Sequence, residues 1–237
     1  MLETGNKKFT EQELSIRIFS DGFSFSTPQG RKEVKAGAEE SLSQALQTAF
    51  SELTLLRTDY EEVSVMADYP STRIPLDEFR SEEAHALYQL TFGPESLQGM
   101  NIHYEMLPAL EAIEVFALDA QIEDLVFRYY PHAAIHSHFG QLMNRMLIRD
   151  KRCKEDNRRL YAYSNGRQLF LFTYEDGRLQ FANSFEAPTL NNQLYFLLYV
   201  WKQLNLSQTK DTCVLIEKNH ELEAVLKHYL RNIVVLP

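Results

Sequence analysis

The chain writes the same order of elements twice, and that repetition constrains its fold more than any other feature. The stretch IRIFSDGFSFS, Ile16 to Ser26, has an echo in LYAYSNGRQLFLF, Leu160 to Phe172. In each, an alternating apolar segment runs into Ser, then Asp or Asn, then Gly, and a second apolar segment follows at once. Alternation with period two sends successive side chains to opposite faces of a strand, and a short polar turn between two such runs predicts a hairpin.

From Glu13 to about Ala36 the pattern predicts three short antiparallel strands, broken at Asp21-Gly22 and at TPQG. EESLSQALQTAFSELTLLR then places Leu42, Ala45, Leu46, Ala49, Phe50 and Leu53 at helical spacing behind a start signal at Ser41. YEEVSVMAD returns to strand. Tyr69 to Ala109, interrupted by Pro70, Pro75, Pro94 and Pro108, reads as an insertion with one helix inside DEFRSEEAHALYQLTF. LEAIEVFALD is then a strand, AQIEDLVFRYY a helix, HAAIHSH a strand and FGQLMNRMLIRD a helix.

The charged run RDKRCKEDNRR is the expected domain boundary, with a first half over 9–150, an insertion around 69–109, and a second half over 151–237. After it the order restarts. RRLYAYS, RQLFLFTYE and RLQFANSFE are strands separated by Asn165-Gly166 and Asp176-Gly177, residue types that tolerate positive φ in tight hairpins. TLNNQLYFLLYVWKQLNL is a helix capped by Thr189, apolar nearly all round and therefore expected to be deeply buried. TCVLIEK is a strand, HELEAVLKHYL a helix and NIVVL a final strand. The echo is thus the first hairpin of each half.

A chain of 237 residues with 44% hydrophobic content can bury one large core or two small ones. Its formal charge of −9, from 33 acidic and 24 basic residues, repels phosphate backbones unless the cations gather on one face, so no nucleic-acid partner is expected. MLETGNKKFTEQE lacks the apolar core of a secretory signal, and LYFLLYVW (Leu194 to Trp201) is too short to span a bilayer, so no membrane insertion is expected. Cys153 and Cys213 lie far apart without a pairing motif, as suits a reducing compartment, and the expected location is the cytoplasm.

The doubled order, with an insertion in its first copy, resembles the ribonuclease H-like fold as duplicated in actin-like ATPases, the group that contains actin, sugar kinases and the cytoplasmic actin-like proteins of pilus and secretion machines. The fold class implied is layered α/β, with two half-domains that each carry a mixed sheet flanked by helices. More narrowly, the whole chain resembles a bacterial family of unknown function whose members adopt the actin-like fold. In active members of the group, the first hairpin of each half carries a phosphate loop of the form Asp-x-Gly, whose amides meet phosphate oxygens while the acid helps to hold Mg²⁺ through water. The matching turns here are Ser20-Asp21-Gly22-Phe23 and Ser164-Asn165-Gly166-Arg167. Asp21 and Gly22 are adjacent, without the spacer, and Asn165-Gly166 has no acid. The group's adenosine element is a Gly-Gly pair late in the second domain, whereas none of the 9 glycines of this chain are adjacent and none lies beyond Gly177. The resemblance therefore implies a kept fold and a degenerate nucleotide site, with no cofactor.

Other constellations carry less. PHAAIHSHFG would place His132, His136 and His138 on one face of a strand, a weak candidate for a metal site. The charged run contains Arg149, Lys151, Arg152, Lys154, Arg158 and Arg159 among acids, followed by Tyr161 and Tyr163, and reads as a solvated linker in preference to a nucleic-acid patch. Phe170, Phe172, Tyr174, Phe181 and Phe185 read as core. Asp68, Asp77, Glu78, Asp119, Glu123 and Asp124 read as surface charge, no nucleophile elbow or P-loop occurs, and no catalytic residues are expected. The function expected is non-enzymatic, through contacts with a protein partner, with the insertion as the segment that the fold itself does not require. The alternative is a divergent ATP-binding or phosphotransfer protein. A ribonuclease H-like nuclease would need clustered acids on its first strands, and LSIRIFS and LYAYS contain none.

Overall fold

The computed structural model describes residues 13–37, 39–151 and 157–236. The chain forms two compact units, Met1–Gln141 and Leu142–Pro237.

In the first unit, β1 (Glu13–Ile18), β2 (Gly22–Thr27) and β3 (Gly30–Lys35) form the expected meander, followed by α1 (Leu42–Glu52) and β4 (Glu62–Ala67). The inserted elements are β5 (Ser71–Pro75), α2 (Ala84–Phe92), β6 (Met100–Leu107) and β7 (Ala112–Asp119). Then come α3 (Ala120–Tyr129), β8 (Ala134–Ser137) and α4 (His138–Asp150), within which the boundary between the units falls. The main sheet has the order β3-β2-β1-β4-β8, with β1–β2 and β2–β3 antiparallel and β1–β4 and β4–β8 parallel. Alternation along β1 buries Leu14, Ile16 and Ile18 in one core with Ala45, Leu46, Ala49 and Phe50 of α1 and Ile122, Leu125 and Val126 of α3. The start of α1 is fixed by a capping box: Ser41 Oγ accepts the Gln44 N–H at 3.2 Å, and Gln44 Oε1 accepts the Ser41 N–H at 2.9 Å.

The second unit contains β9 (Arg159–Ser164), β10 (Gln168–Glu175), β11 (Arg178–Glu186), α5 (Leu190–Gln203), β12 (Thr212–Ile216), α6 (His220–Leu226) and β13 (Asn232–Leu236). Its sheet runs β11-β10-β9-β12-β13, with the same relative directions, pair by pair, as the first. Two sheets of identical order, each flanked by helices, make this a mixed α/β fold of the kind implied by the doubled pattern. One face of the second sheet buries Leu160, Leu169, Leu171, Cys213 and Leu215 in a core with residues of α5 and α6. The other side buries Tyr161, Tyr163, Phe170, Phe172 and Tyr174, so these aromatics are core and form no stacking platform.

Three expectations are corrected. The inserted sheet, of order β5-β7-β6, extends past Ala109, because β7 pairs antiparallel with β5 and β6. Helix α5 is not buried all round: Gln193, Leu197, Val200 and Trp201 face inward, while Tyr195 and Tyr199 are exposed. Phenol rings count as apolar in a pattern, yet their hydroxyls can face water. The ends of the charged run are also not a free linker. Arg159 is buried against Asp150 at 3.2 Å, and Arg158 donates to the carbonyls of Leu204 and Asn205. Arg152, Cys153 and Lys154 lie outside the described residues, as do Glu155 and Asp156.

Candidate functional site

In the first hairpin the Phe19 N–H donates to Gly22 O at 2.8 Å, which leaves Ser20 and Asp21 as the loop. Gly22 is needed for space: a Cβ there would sit 2.3 Å from Val34 O and 2.9 Å from Lys35 Cα. The exposed Asp21 carboxylate lies 3.7 Å from Lys35 Nζ, and the Asp21 carbonyl accepts the Ala36 N–H at 3.0 Å.

In the second hairpin the Asn165 N–H donates to Gln168 O at 3.2 Å, so the loop is Gly166-Arg167, with Gly166 at φ 90°. The Arg167 carbonyl accepts the Ala187 N–H at 2.7 Å. By these bonds Asp21 is equivalent to Arg167, and Ala36 to Ala187. The echo that sets Asp21 beside Asn165 is therefore two residues out of structural register. Asn165 instead closes the turn on itself: its Oδ1 accepts the N–H groups of Arg167 at 3.1 Å and Gln168 at 2.7 Å, and Ser164 Oγ accepts that of Gly166 at 3.3 Å. Amides that a phosphate loop would hold open for oxygen ligands are here engaged by side chains of the same turn.

The second unit has a cleft of about 270 Å³ beside this hairpin, bordered by Ser164, Gly166, Gln193, Glu217, Lys218 and Asn219. Glu217, just past β12, has φ 68°, a left-handed conformation uncommon for a residue with a side chain. Asn219 Oδ1 caps α6 by accepting the Leu222 N–H at 3.0 Å, and its Nδ2 donates to Oε1 of the buried Gln193 at 3.1 Å. Nothing in the triplet Glu217-Lys218-Asn219 announces this conformation, since glycine is the residue that signals positive φ.

The acids read as surface charge divide into distinct roles. Asp68 is buried and ion-paired with Arg17 at 2.8 Å, which corrects that reading. Asp119 caps α3, Glu123 Oε2 accepts from Asn101 at 3.0 Å and lies 2.9 Å from His103 Nε2, and Asp77, Glu78 and Asp124 are exposed. Burial, with help from the charges of Asp119 and Asp68, pushes the Tyr69 phenol up to about 12. A second pair, Arg73 with the fully buried Glu114 at 2.6 Å, escaped the sequence reading; burial drives the Glu114 carboxyl up against the opposing charge of Arg73.

The histidines do not share a strand face. The strand is only Ala134–Ser137, so His132 precedes it and His138 opens α4. His132 Nε2 lies 2.9 Å from Tyr60 O, and His136 Nδ1 lies 2.8 Å from Glu105 Oε2. Glu105 also accepts from the Ser137 N–H at 2.7 Å and from Gln141 Nε2 at 2.8 Å, which ties β6 to the start of α4. Among the described residues, no group of three or more His, Cys, Asp or Glu side chains is placed to hold a metal ion. No helix among them is long and apolar enough to cross a membrane.

The family described as "Protein of unknown function (DUF3822)" matches residues 3–233. No curated protein matches the sequence. A Bacteroides thetaiotaomicron protein with actin-like ATPase fold and unknown function is 27% identical, with a TM-score of 0.83 over 98% of this chain and 94% of that one. A chain of the PilM-PilN type IV pilus biogenesis complex is 12% identical, with a TM-score of 0.62 over 95% of this chain and 88% of its own. The fold is that of the actin-like ATPases.

Proposed function

The chain belongs to the DUF3822 family of proteins of unknown function, and we propose that it is a cytoplasmic, non-enzymatic docking body of actin-like fold, which acts through protein contacts and has a degenerate nucleotide site. The observation that carries this reading is the Asn165 turn. Its Oδ1 takes the amides of Arg167 and Gln168, so phosphate binding there would first have to break two hydrogen bonds. The equivalence of Asp21 with Arg167 adds to it, since the second loop offers no acid for a metal ion. A use of this fold in assembly has a parallel in the PilM-PilN complex, at the level of fold alone. The repeated strand order supports descent of the two halves by duplication.

The alternative, a divergent ATP-binding or phosphotransfer protein, draws on the cleft beside Ser164 and Gly166 and on the left-handed Glu217 at its edge. A thermal-shift titration separates the two. Ligand at about 100 times its dissociation constant stabilises the native state by roughly 2.7 kcal/mol. That moves the melting midpoint of a protein this size by roughly 2–4 °C per kcal/mol. Millimolar Mg-ATP is expected to shift the midpoint by less than about one degree. A clear Mg-dependent rise that vanishes in Asp21→Ala would overturn the docking reading in favour of the alternative.

A further inference from the structure

Helix α2 is apolar on two sides. Ala84 and Tyr88 are buried with Ile113, Val115 and Ala117 of the inserted sheet. The other side presents Ala86 and Leu90, of which Leu90 is 86% exposed, and the half-buried Leu87, which also packs against that core, lies between the two sides. With Ile74 of β5 and Phe79 of the preceding loop, these residues line a groove of about 380 Å³. Apolar surface continues beyond it. The Phe79 ring lies 4.9 Å from that of Tyr104, itself half exposed, as are Leu76 and Met106. An exposed apolar patch rimmed by polar groups marks an interaction surface.

The segment that borders the groove is mainly acidic, with four acids to one Lys or Arg over residues 76–83. Glu83 lines the groove together with Arg80; Asp77, Glu78 and Glu82, each within two residues of a lining residue, are exposed, and Arg80 is the one Lys or Arg between Leu76 and Gly99. Such a rim favours a partner whose cations flank an apolar stretch, and it repels anionic lipid headgroups. A second copy of a chain with formal charge −9 meets the same repulsion.

We propose that this groove docks a short apolar segment of a partner protein, flanked by lysine or arginine side chains. The proposal rests on the docking reading above and supplies its site and the chemistry of its partner. The apolar anchors enter between α2 and β5, against Leu87, Leu90 and Phe79, while the flanking cations meet Glu82, Glu83 and Asp77. This is the helix-in-groove mode of recognition, in which a few apolar side chains carry affinity and the charged rim selects the partner.

The test pans a random display library of peptides of about a dozen residues, enough to match a helix such as α2, against the full chain. The same library is panned against Leu90→Asp and against Glu82→Lys/Glu83→Lys. Leu90 is too exposed for its replacement to unfold the protein, which circular dichroism checks. The expected peptides combine at least two large apolar residues with Lys or Arg. Resynthesised, they bind the wild type at least about ten-fold more tightly than either variant, and less tightly as salt rises. Recovery of no peptides, of peptides without a basic bias, or of peptides that Leu90→Asp retains equally would overturn the proposal. So would binding to phosphatidylglycerol vesicles, with no peptide recovered. Peptides retained by Leu90→Asp would remove the groove and leave the docking reading standing. Mg-ATP binding alongside groove-dependent peptides would do the reverse.

Discussion

Arg17 and Asp68 form an ion pair 2.8 Å long, in which the Asp68 side chain is wholly buried and Arg17 is 11% exposed. The pair joins β1 to the residue that follows β4, and the Asp68 N–H also donates to Ile18 O at 3.0 Å. Arg17→Met leaves a buried carboxylate without its counter-charge and is expected to destabilise by about 3–5 kcal/mol. The double variant Arg17→Met/Asp68→Leu is expected to recover most of that loss, because both charges leave together. Urea denaturation of the wild type and the variants tests this, and a loss of less than about 1 kcal/mol in the single variant would show that Asp68 is hydrated in solution.

The two hairpin glycines are expected to fail differently. Gly22→Ala drives a Cβ into the backbone of β3 and is expected to cost about 3 kcal/mol. Gly166 has φ 90° but open space around it, so Gly166→Ala meets only backbone strain, about 1 kcal/mol. Chemical denaturation of both variants gives the order, and the reverse order would mean that β3 yields to the added methyl.

Cys213 is expected to be inert while the protein is folded. Burial pushes its thiol up to about 12, and the thiolate is the reactive form. In a Cys153→Ser background, where Cys213 is the only thiol left, iodoacetamide at about pH 8 should label the unfolded chain readily and the native chain hardly at all. Comparable rates in the two states would contradict its burial.

Alkaline pH should weaken the fold through Tyr88. Burial raises its phenol from 10.0 to about 12. Because the folded value lies above the unfolded one, the contribution is complete below about pH 10 and is lost as pH rises through about 12, by up to about 1.4 kcal/mol per unit. Tyr88→Phe is expected to decline less steeply between those limits. At neutral pH the same variant should lose about 1 kcal/mol with the hydroxyl that donates to Pro70 O at 3.2 Å. Urea midpoints along a pH series measure both effects.

The succession of strands along the chain was legible because period-two runs and turn residues mark strands locally. The caps at Ser41 and Thr189 are set by their own side chains, and Asp176 and Gly177 both take the positive φ that their types permit. What escaped depends on partners distant in the chain. Alternation identifies β7 as a strand without saying that it pairs with β5 and β6. It also marks Arg17 as facing away from the apolar core, where nothing local reveals an acid 51 residues on. The slip of the echo has the same origin: Ser-Asp-Gly and Ser-Asn-Gly match as text, but the pairs that close each turn depend on the facing strand. At the candidate site, Asn165 and Gly166 were visible as a turn, whereas the amides captured by Asn165 and the left-handed conformation of Glu217 are set by the folded backbone around them.

Trp201 is the only tryptophan of the chain, and it is buried in the core of the second unit with Leu197 and Val200. Its fluorescence therefore watches one half of the molecule and is blind to the other, while far-ultraviolet dichroism sums over both. Placing the two melting curves on one axis turns that asymmetry into an optical measure of cooperativity between the halves. Coincident midpoints mean a single transition, and a gap gives the range of temperature over which one sheet stands without the other.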